Sequence, residues 1–170
     1  SPRWGEESGS LWSRVARIVA DPGRYSATPK RERQAKCLTP LAVESYNAAM
    51  DSAAFEQLVV EALDSLPEAF AAYLENVEII LERRPTREHR RMLGLKPWQS
   101  VYGMYYGVPL TERTGDLLAL PDTIVIFQEP LERDFRTSEA LRAQVRRTVL
   151  HEIAHVFGIS DDRLRELGAY

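Results

Sequence analysis

The sequence predicts an α/β (α+β) fold, a compact domain in which a small mixed sheet packs against helices. Three patterns predict it. Apolar residues recur at helical spacing over residues 55–63. The segments 77–81 and 123–127 have the alternating and the continuous apolar patterns of strands. A long helical pattern follows residue 137, and its last turns are apolar on nearly every side, which is typical of a buried helix.

The first half of the domain begins with two predicted helices. Ser52 is a suitable N-cap for the first helix, which ends before Pro67. Pro67 suits the first turn of the second helix, over residues 70–74. A strand follows over residues 77–81. Residues 84–99 are rich in arginine and predict an exposed loop.

The second half of the domain contains two further predicted strands. Residues 101–108 are rich in tyrosine and predict a strand with glycines inside it or at its end. Residues 111–116 predict a polar turn. Residues 123–127 are apolar at successive positions, so both faces of this strand are expected to be covered.

Two helices complete the predicted domain. The long helix begins near Thr137 or Ser138, either of which suits an N-cap. It ends at Gly158, because glycine adopts the left-handed conformation that closes many helices. A short final helix is predicted over residues 162–167.

Residues 1–50 are predicted to form a basic N-terminal arm, partly disordered or in a short helix, ahead of a domain over residues 51–170. Residues 1–45 carry eight Lys or Arg against five Asp or Glu, whereas residues 46–170 carry 14 against 20. The one apolar stretch of the arm, residues 11–20, suits a short amphipathic helix.

The composition excludes several classes of protein. The 170 residues suit one domain, and a net charge of −3 provides no strong field for nucleic acid or anionic membranes. No apolar run reaches 18 residues, so no membrane-spanning helix is expected. The single cysteine, Cys37, excludes an internal disulfide framework and suits a reducing compartment. We expect a cytoplasmic protein that binds neither nucleic acid nor membranes, and the oligomeric state stays open.

The segment His151-Glu152-Ile153-Ala154-His155 carries the chemistry. Two histidines four residues apart project from one face of a helix, within reach of one metal ion. Glu152, next to the first histidine, is placed to reach a water molecule beside the metal without being a ligand. This is the H-E-x-x-H pattern of zinc peptidases.

The apolar surroundings of the motif favour a metal, because burying these polar groups without a cation costs several kcal/mol. One alternative is a hydrogen-bonded His–Glu–His network in the core without metal. A second is that Glu152 pairs with an arginine, such as Arg147 or Arg163.

The third ligand is expected just beyond the helix. Gly158 turns the chain, and Asp161 lies three residues further on, where a carboxylate is an acceptable zinc ligand. Asp162 is the main rival. Asp161 also has another possible role, as the N-cap of the last helix.

These residues, with further stretches, resemble the short bacterial zincin-like metallopeptidases that have a minimal zincin fold. The resemblance covers roughly residues 53–169 and rests on residues 55–70 (FEQLVVEALDSLPEAF), 105–113 (YYGVPLTER) and 144–168 (QVRRTVLHEIAHVFGISDDRLRELG). It implies that His151, His155 and Asp161 bind one Zn²⁺ ion through the family motif HExxHxxGxxD. It also implies a compact α/β domain whose penultimate helix carries the metal pair.

The function implied is that of a zinc-dependent peptidase acting on peptides or proteins. A zinc-activated water would attack the peptide bond, with Glu152 as the general base. Residues 123–127 are a candidate strand for pairing with the substrate backbone. The oxyanion formed in this reaction would need a hydrogen-bond donor besides zinc. The candidates in the sequence are Tyr105, Tyr106, His89 and Tyr170. The alternative function is a zinc-binding interaction module of the same fold that is weakly catalytic or not catalytic.

Overall fold

The computed structural model of the chain describes residues 17–20 by their backbone, and residues 50–96, 98–113 and 121–168 in full. Four strands lie in these parts: β1 (Arg17–Ala20), β2 (Val77–Glu82), β3 (Gly103–Tyr106) and β4 (Asp122–Phe127). Six α-helices accompany them: α1 (Ser52–Asp64), α2 (Ala71–Leu74), α3 (Arg87–Met92), α4 (Gln128–Asp134), α5 (Ser138–Val156) and α6 (Asp161–Glu166). The 3₁₀ turns are Glu68–Phe70 and Leu110–Glu112.

The four strands form one mixed sheet in the order β1-β2-β4-β3. β2 is parallel to both β1 and β4, whereas β3 is antiparallel to β4. The register pairs Val77 with Asp122 and Met104 with Val125. The mixed α/β fold predicted from the sequence is therefore confirmed.

The position of β4 corrects one expectation. β4 has hydrogen-bonded neighbours on both sides, so residues 123–127 cannot pair with a substrate backbone. β3 lies at one edge of the sheet, and no strand of the described residues pairs with its outer side. An added strand would pair at this edge or at the outer side of β1, the other edge of the sheet.

Apolar side chains on both faces of β4 hold the domain together. Ile124 and Ile126 point into the main core, where α1 and α5 pack on the sheet. Val125 and Phe127 belong to a second cluster on the opposite face. The prediction of a strand covered on both faces is therefore confirmed.

Most predicted helices are present with small differences in their ends. α1 begins one residue earlier than expected, because Asp51 is its N-cap and Ser52 its first residue. At α5, Thr137 is the cap, and its side chain accepts a hydrogen bond from the Ala140 N–H at 3.2 Å. No helix in the described part of the chain is both long enough and apolar enough to cross a membrane.

The loop predicted over residues 84–99 is wrong, because this segment contains α3. Thr86 caps α3 by accepting the His89 N–H at 3.1 Å, while the His89 Nδ1 accepts the Thr86 N–H at 3.4 Å. This reciprocal cap stabilises a helix start without any apolar face. The sequence also gave no signal for α4, a short helix directly after β4.

The predicted short helix over residues 11–20 is wrong for Arg17–Ala20, which form a strand. β1 pairs in parallel with β2, from Arg17 opposite Glu78 to Ala20 opposite Leu81. The remaining residues of the predicted arm, apart from residue 50, lie outside the described residues. The division into an arm and a domain at residue 50 stays a prediction.

Asp134, the last residue of α4, connects this helix to the segment that leads into β3. Its carboxylate accepts hydrogen bonds from the Ser100 hydroxyl at 2.9 Å and the Tyr102 hydroxyl at 3.0 Å. Arg133 donates to the same carboxylate at 2.8 and 3.0 Å. The hydrogen bonds from Arg133, with those from the two hydroxyls, lower the pKa of Asp134 to about 2.

Replacing Asp134→Asn is expected to lower the free energy of unfolding at pH 7 by roughly 0.5–1 kcal/mol, since its hydrogen bonds are partly exposed. Because the folded pKa is lowered, the contribution is present above pH 4 or so and is lost as the pH falls through about 2. Denaturant unfolding of both proteins from pH 7 to pH 2.5 measures this. Asp51→Asn is the control, because Asp51 makes no side-chain cap hydrogen bond. A difference that stays constant with pH would contradict the expectation.

Candidate metal centre

One face of α5 and the start of α6 bring three potential ligands together. His151 and His155 lie one turn apart, with their Nε2 atoms 3.1 Å from each other and their rings perpendicular. The Oδ1 atom of Asp161 lies 3.1 Å from the His151 Nε2 and 3.5 Å from the His155 Nε2. The sequence prediction placed these same three residues at one site.

A hydrogen bond of the His155 ring determines which of its two nitrogens is available to a metal ion. The His155 Nδ1 lies 2.8 Å from the Ile159 carbonyl oxygen, which only accepts, so Nδ1 carries the proton. In the neutral ring the Nε2 then presents a lone pair to Asp161 and His151. A backbone carbonyl that orients a histidine in this way is the usual outer partner of a metal-binding imidazole.

The spacing of the three atoms fits a tetrahedral zinc site. Ligand distances of 2.0–2.1 Å give ligand-to-ligand separations of about 3.3–3.4 Å in a tetrahedron. The three observed separations, 3.1, 3.1 and 3.5 Å, lie on both sides of that value. Two imidazoles and one carboxylate are also a donor set that zinc accepts while one position stays open. The residues therefore fit the ion.

The turn between α5 and α6 decides which aspartate faces the histidines. Gly158 has φ +77°, a conformation that other residues adopt only with strain. Ser160 then caps α6, accepting the Arg163 N–H at 3.3 Å, so the aspartates are left free of that role. Asp161 turns towards the histidines, whereas Asp162 pairs with Arg165.

Glu152 lies beside the three ligands, between α5 and the edge strand. The residue is only 5% exposed, and its carboxylate accepts a hydrogen bond from the Tyr105 backbone N–H. A Cβ atom at Gly103 would lie 2.8 Å from the Glu152 Oε1, so only glycine leaves room for the carboxylate here. The pairing of Glu152 with Arg163 considered from the sequence is not present, since Arg163 pairs with Glu166 at 2.7 Å.

Burial dominates the electrostatics of the site. It raises the pKa of Glu152 to about 8, with the Asp161 charge acting in the same direction and the Tyr105 N–H against it. Burial, followed by the nearby His155, lowers the pKa of His151. Neutral imidazole is the form that binds metal. A divalent cation would favour the ionised form of Glu152.

The site opens into a cleft of about 560 Å³. The side chains of His151 and His155 are 21% and 23% exposed, so the cleft reaches the ligands from solvent. Glu152 and the edge strand β3 also line it. The volume lies within the range of clefts that bind small molecules.

The four candidate oxyanion donors have different positions. Tyr105 lines the cleft, but its hydroxyl is buried near Asp122, and burial, then that charge, raise its pKa to about 12. Tyr106 is 62% exposed. His89 belongs to the cap of α3 and lies 3.6 Å from Glu82. Tyr170 lies outside the described residues.

The chain belongs to the zincin-like metallopeptidase family, which it matches over residues 74–169, more than half of its length. Its fold and its His–His–Asp cluster suit a family that holds a metal, typically zinc. None of the curated proteins compared with the chain matches it.

Two features of the site were missed by the sequence analysis. The contact between Gly103 and Glu152 positions the carboxylate, and the Tyr105 N–H provides its hydrogen bond. A glycine inside a predicted strand can indicate that another group approaches the backbone closely. Gly103 was therefore a signal of this contact in the sequence. Backbone N–H groups give no signal in a sequence.

Replacing Asp161→Ala is expected to weaken zinc binding by at least about 100-fold, more than the loss of an outer partner costs. Asp162→Ala removes the same functional group one residue further on and should leave zinc affinity within about threefold. Competition with a chromogenic chelator measures both dissociation constants. The reverse order of the two effects would contradict the assignment of Asp161.

Replacing Gly103→Ala is expected to displace the Glu152 carboxylate while the three ligands keep the metal. Any peptidase activity should fall by at least about tenfold, because a shift of about 1 Å at a catalytic group is costly. Zinc content should remain at one ion per chain. Activity and metal analysis on the same samples separate this result from loss of the site, and unchanged activity would contradict it.

Proposed function

We propose that the protein is a zinc-dependent peptidase that hydrolyses peptide bonds, with Glu152 as the general base. The convergence of His151, His155 and Asp161 on one point, with Glu152 beside them and a cleft in front, carries the proposal. A purely structural zinc site has no use for a second carboxylate that does not bind the metal at this place. Membership of the zincin-like metallopeptidase family supports the same reaction.

A zinc ion held by the three ligands would polarise the substrate carbonyl and lower the pKa of a water molecule to about 7. Glu152 accepts the proton of the attacking water and delivers it to the leaving amine. The Tyr105 N–H holds one carboxylate orientation during both transfers. The Ile159 carbonyl keeps the His155 proton on Nδ1 and so keeps the Nε2 available.

The outer edge of β3 is the proposed place for the substrate backbone. Gly103, Met104 and Tyr105 line the cleft and belong to β3, whose outer side pairs with no strand among the described residues. An extended peptide paired with β3 would run past the metal ligands with backbone hydrogen bonds and without a sequence requirement. This role replaces the one expected for residues 123–127.

Glu152→Gln, which keeps the size and removes the base, is expected to lower kcat by about 10²- to 10⁴-fold for a peptide that the wild type cleaves. Zinc content should be unchanged, because Glu152 is not a ligand. A diverse peptide library, read by mass spectrometry, identifies the cleaved peptides, and the full chain is used for both proteins. Glu75→Gln, the same change at an exposed position after α2, is the control.

The two functions considered from the sequence predict different results in this experiment. If zinc is bound by wild type and variant and neither cleaves any peptide, the zinc-binding interaction module is the better description. If the variant cleaves as fast as the wild type, Glu152 is not the base.

A further inference from the structure

Among the described residues, the cleft in front of the metal site is lined by more acidic than basic side chains. Its described lining residues include three carboxylates, Glu112, Glu152 and Asp161, and no lysine or arginine. Asp161 is assigned to the metal and Glu152 to the proton transfers. Glu112 is therefore the one charge of this described lining that the proposed mechanism does not use.

Glu112 lies in a turn whose backbone is held by hydrogen bonds. Its N–H donates to the Pro109 carbonyl at 2.9 Å and closes the 3₁₀ turn Leu110–Glu112. The next residue, Arg113, donates to the Val108 carbonyl at 2.9 Å and pairs with the buried Asp122. These contacts tie both ends of the turn to each other and to the start of β4.

The same turn also touches the metal centre. Thr111 packs against Gly158, at the bend that sends Asp161 towards the histidines; a Cβ atom at position 158 would overlap the Thr111 hydroxyl. Glu112 therefore belongs to a turn that packs against the bend leading to Asp161, and the residue lines the same cleft as the three ligands. Glu112 is exposed, and its carboxylate makes no ion pair within the described part of the chain.

Apolar side chains supply another part of the cleft wall. Leu93, Leu95, Val101 and Met104 line it, and Val101 and Met104 are at least nine-tenths buried. An apolar wall beside an acidic group suits a substrate that carries both an apolar group and a cationic group. An anionic substrate in this cleft would meet Glu112 without a described cationic side chain in the same lining, whereas Arg147 lines the adjoining pocket that shares His151 and Glu152.

We propose that Glu112 is a specificity-determining residue that selects peptides with a cationic group close to the cleaved bond. The cation is a Lys or Arg side chain or the free amino terminus of a short peptide. This inference rests on the proposed peptidase function, because it assigns Glu112 to the same cleft. An exposed ion pair gives a modest, salt-sensitive gain, so the expected preference is about two- to fivefold in kcat/KM at low salt.

The test compares matched peptides that differ at single positions around a bond that the wild type cleaves. Lys is exchanged for Gln and for Glu at each position, and each peptide is made with a free and an acetylated amino terminus. The two sets distinguish side-chain cations from the terminal amine. The proteins are wild type, Glu112→Gln, Glu112→Lys and the control Glu75→Gln, all with equal zinc content.

The expected result is a preference for the cationic peptide in the wild type and in Glu75→Gln. The preference should fall to about one in Glu112→Gln, and Glu112→Lys should favour the Glu peptide. High salt should reduce the wild-type preference. A merely structural role would lower cleavage of all peptides by the same factor, so a uniform loss, or an unchanged preference in Glu112→Gln, would overturn the inference.

A binding measurement separates this inference from the peptidase proposal. Fluorescence anisotropy gives the affinity of zinc-loaded Glu152→Gln, with and without Glu112→Gln, for the Lys and Gln peptides. If no protein cleaves but Lys peptides bind more tightly through Glu112, the peptidase proposal fails and the selection by Glu112 stands. Cleavage without any charge preference overturns only the selection, and the absence of both cleavage and binding overturns both.

Discussion

The packing of α5 against the sheet is the constraint on which the rest of the structure depends. Leu141, Val145, Val149 and Ile153 form a continuous buried stripe along this helix and meet α1, β3 and β4. The same helix carries His151, Glu152 and His155. Since the helix is held by apolar contacts along its length, the orientation of its polar side chains is set by the core.

The geometry of the candidate metal site therefore depends directly on the packing of the core. Glu152 is buried at the contact of α5 with β3, where the absence of a side chain at Gly103 leaves space for it. The cost of burying the carboxylate is visible in its raised pKa. A cation bound at the convergence of His151, His155 and Asp161 would offset that cost, so metal binding and stability are expected to be linked.

Four of the elements predicted correctly are ones whose own residues bury an apolar pattern. α1, β2, β4 and α5 have this pattern, and it follows from local spacing alone. α3 was missed because its stability comes from the reciprocal Thr86–His89 cap and not from an apolar face. β1 was mistaken for a helix because four apolar or basic residues form a strand only when β2 offers its edge.

The sequence by itself determined which side-chain groups the candidate site contains. Two histidines at i and i+4 must share a helix face, and Gly158 must turn the chain before Asp161, because both follow from backbone geometry. The tertiary structure alone decided that Asp161 and not Asp162 approaches the histidines, and that β3 and not β4 lies at an edge of the sheet formed by the described residues. It also decided that Glu112 lies in the same cleft. These features depend on contacts between residues far apart in the chain, and a local sequence pattern does not predict such contacts.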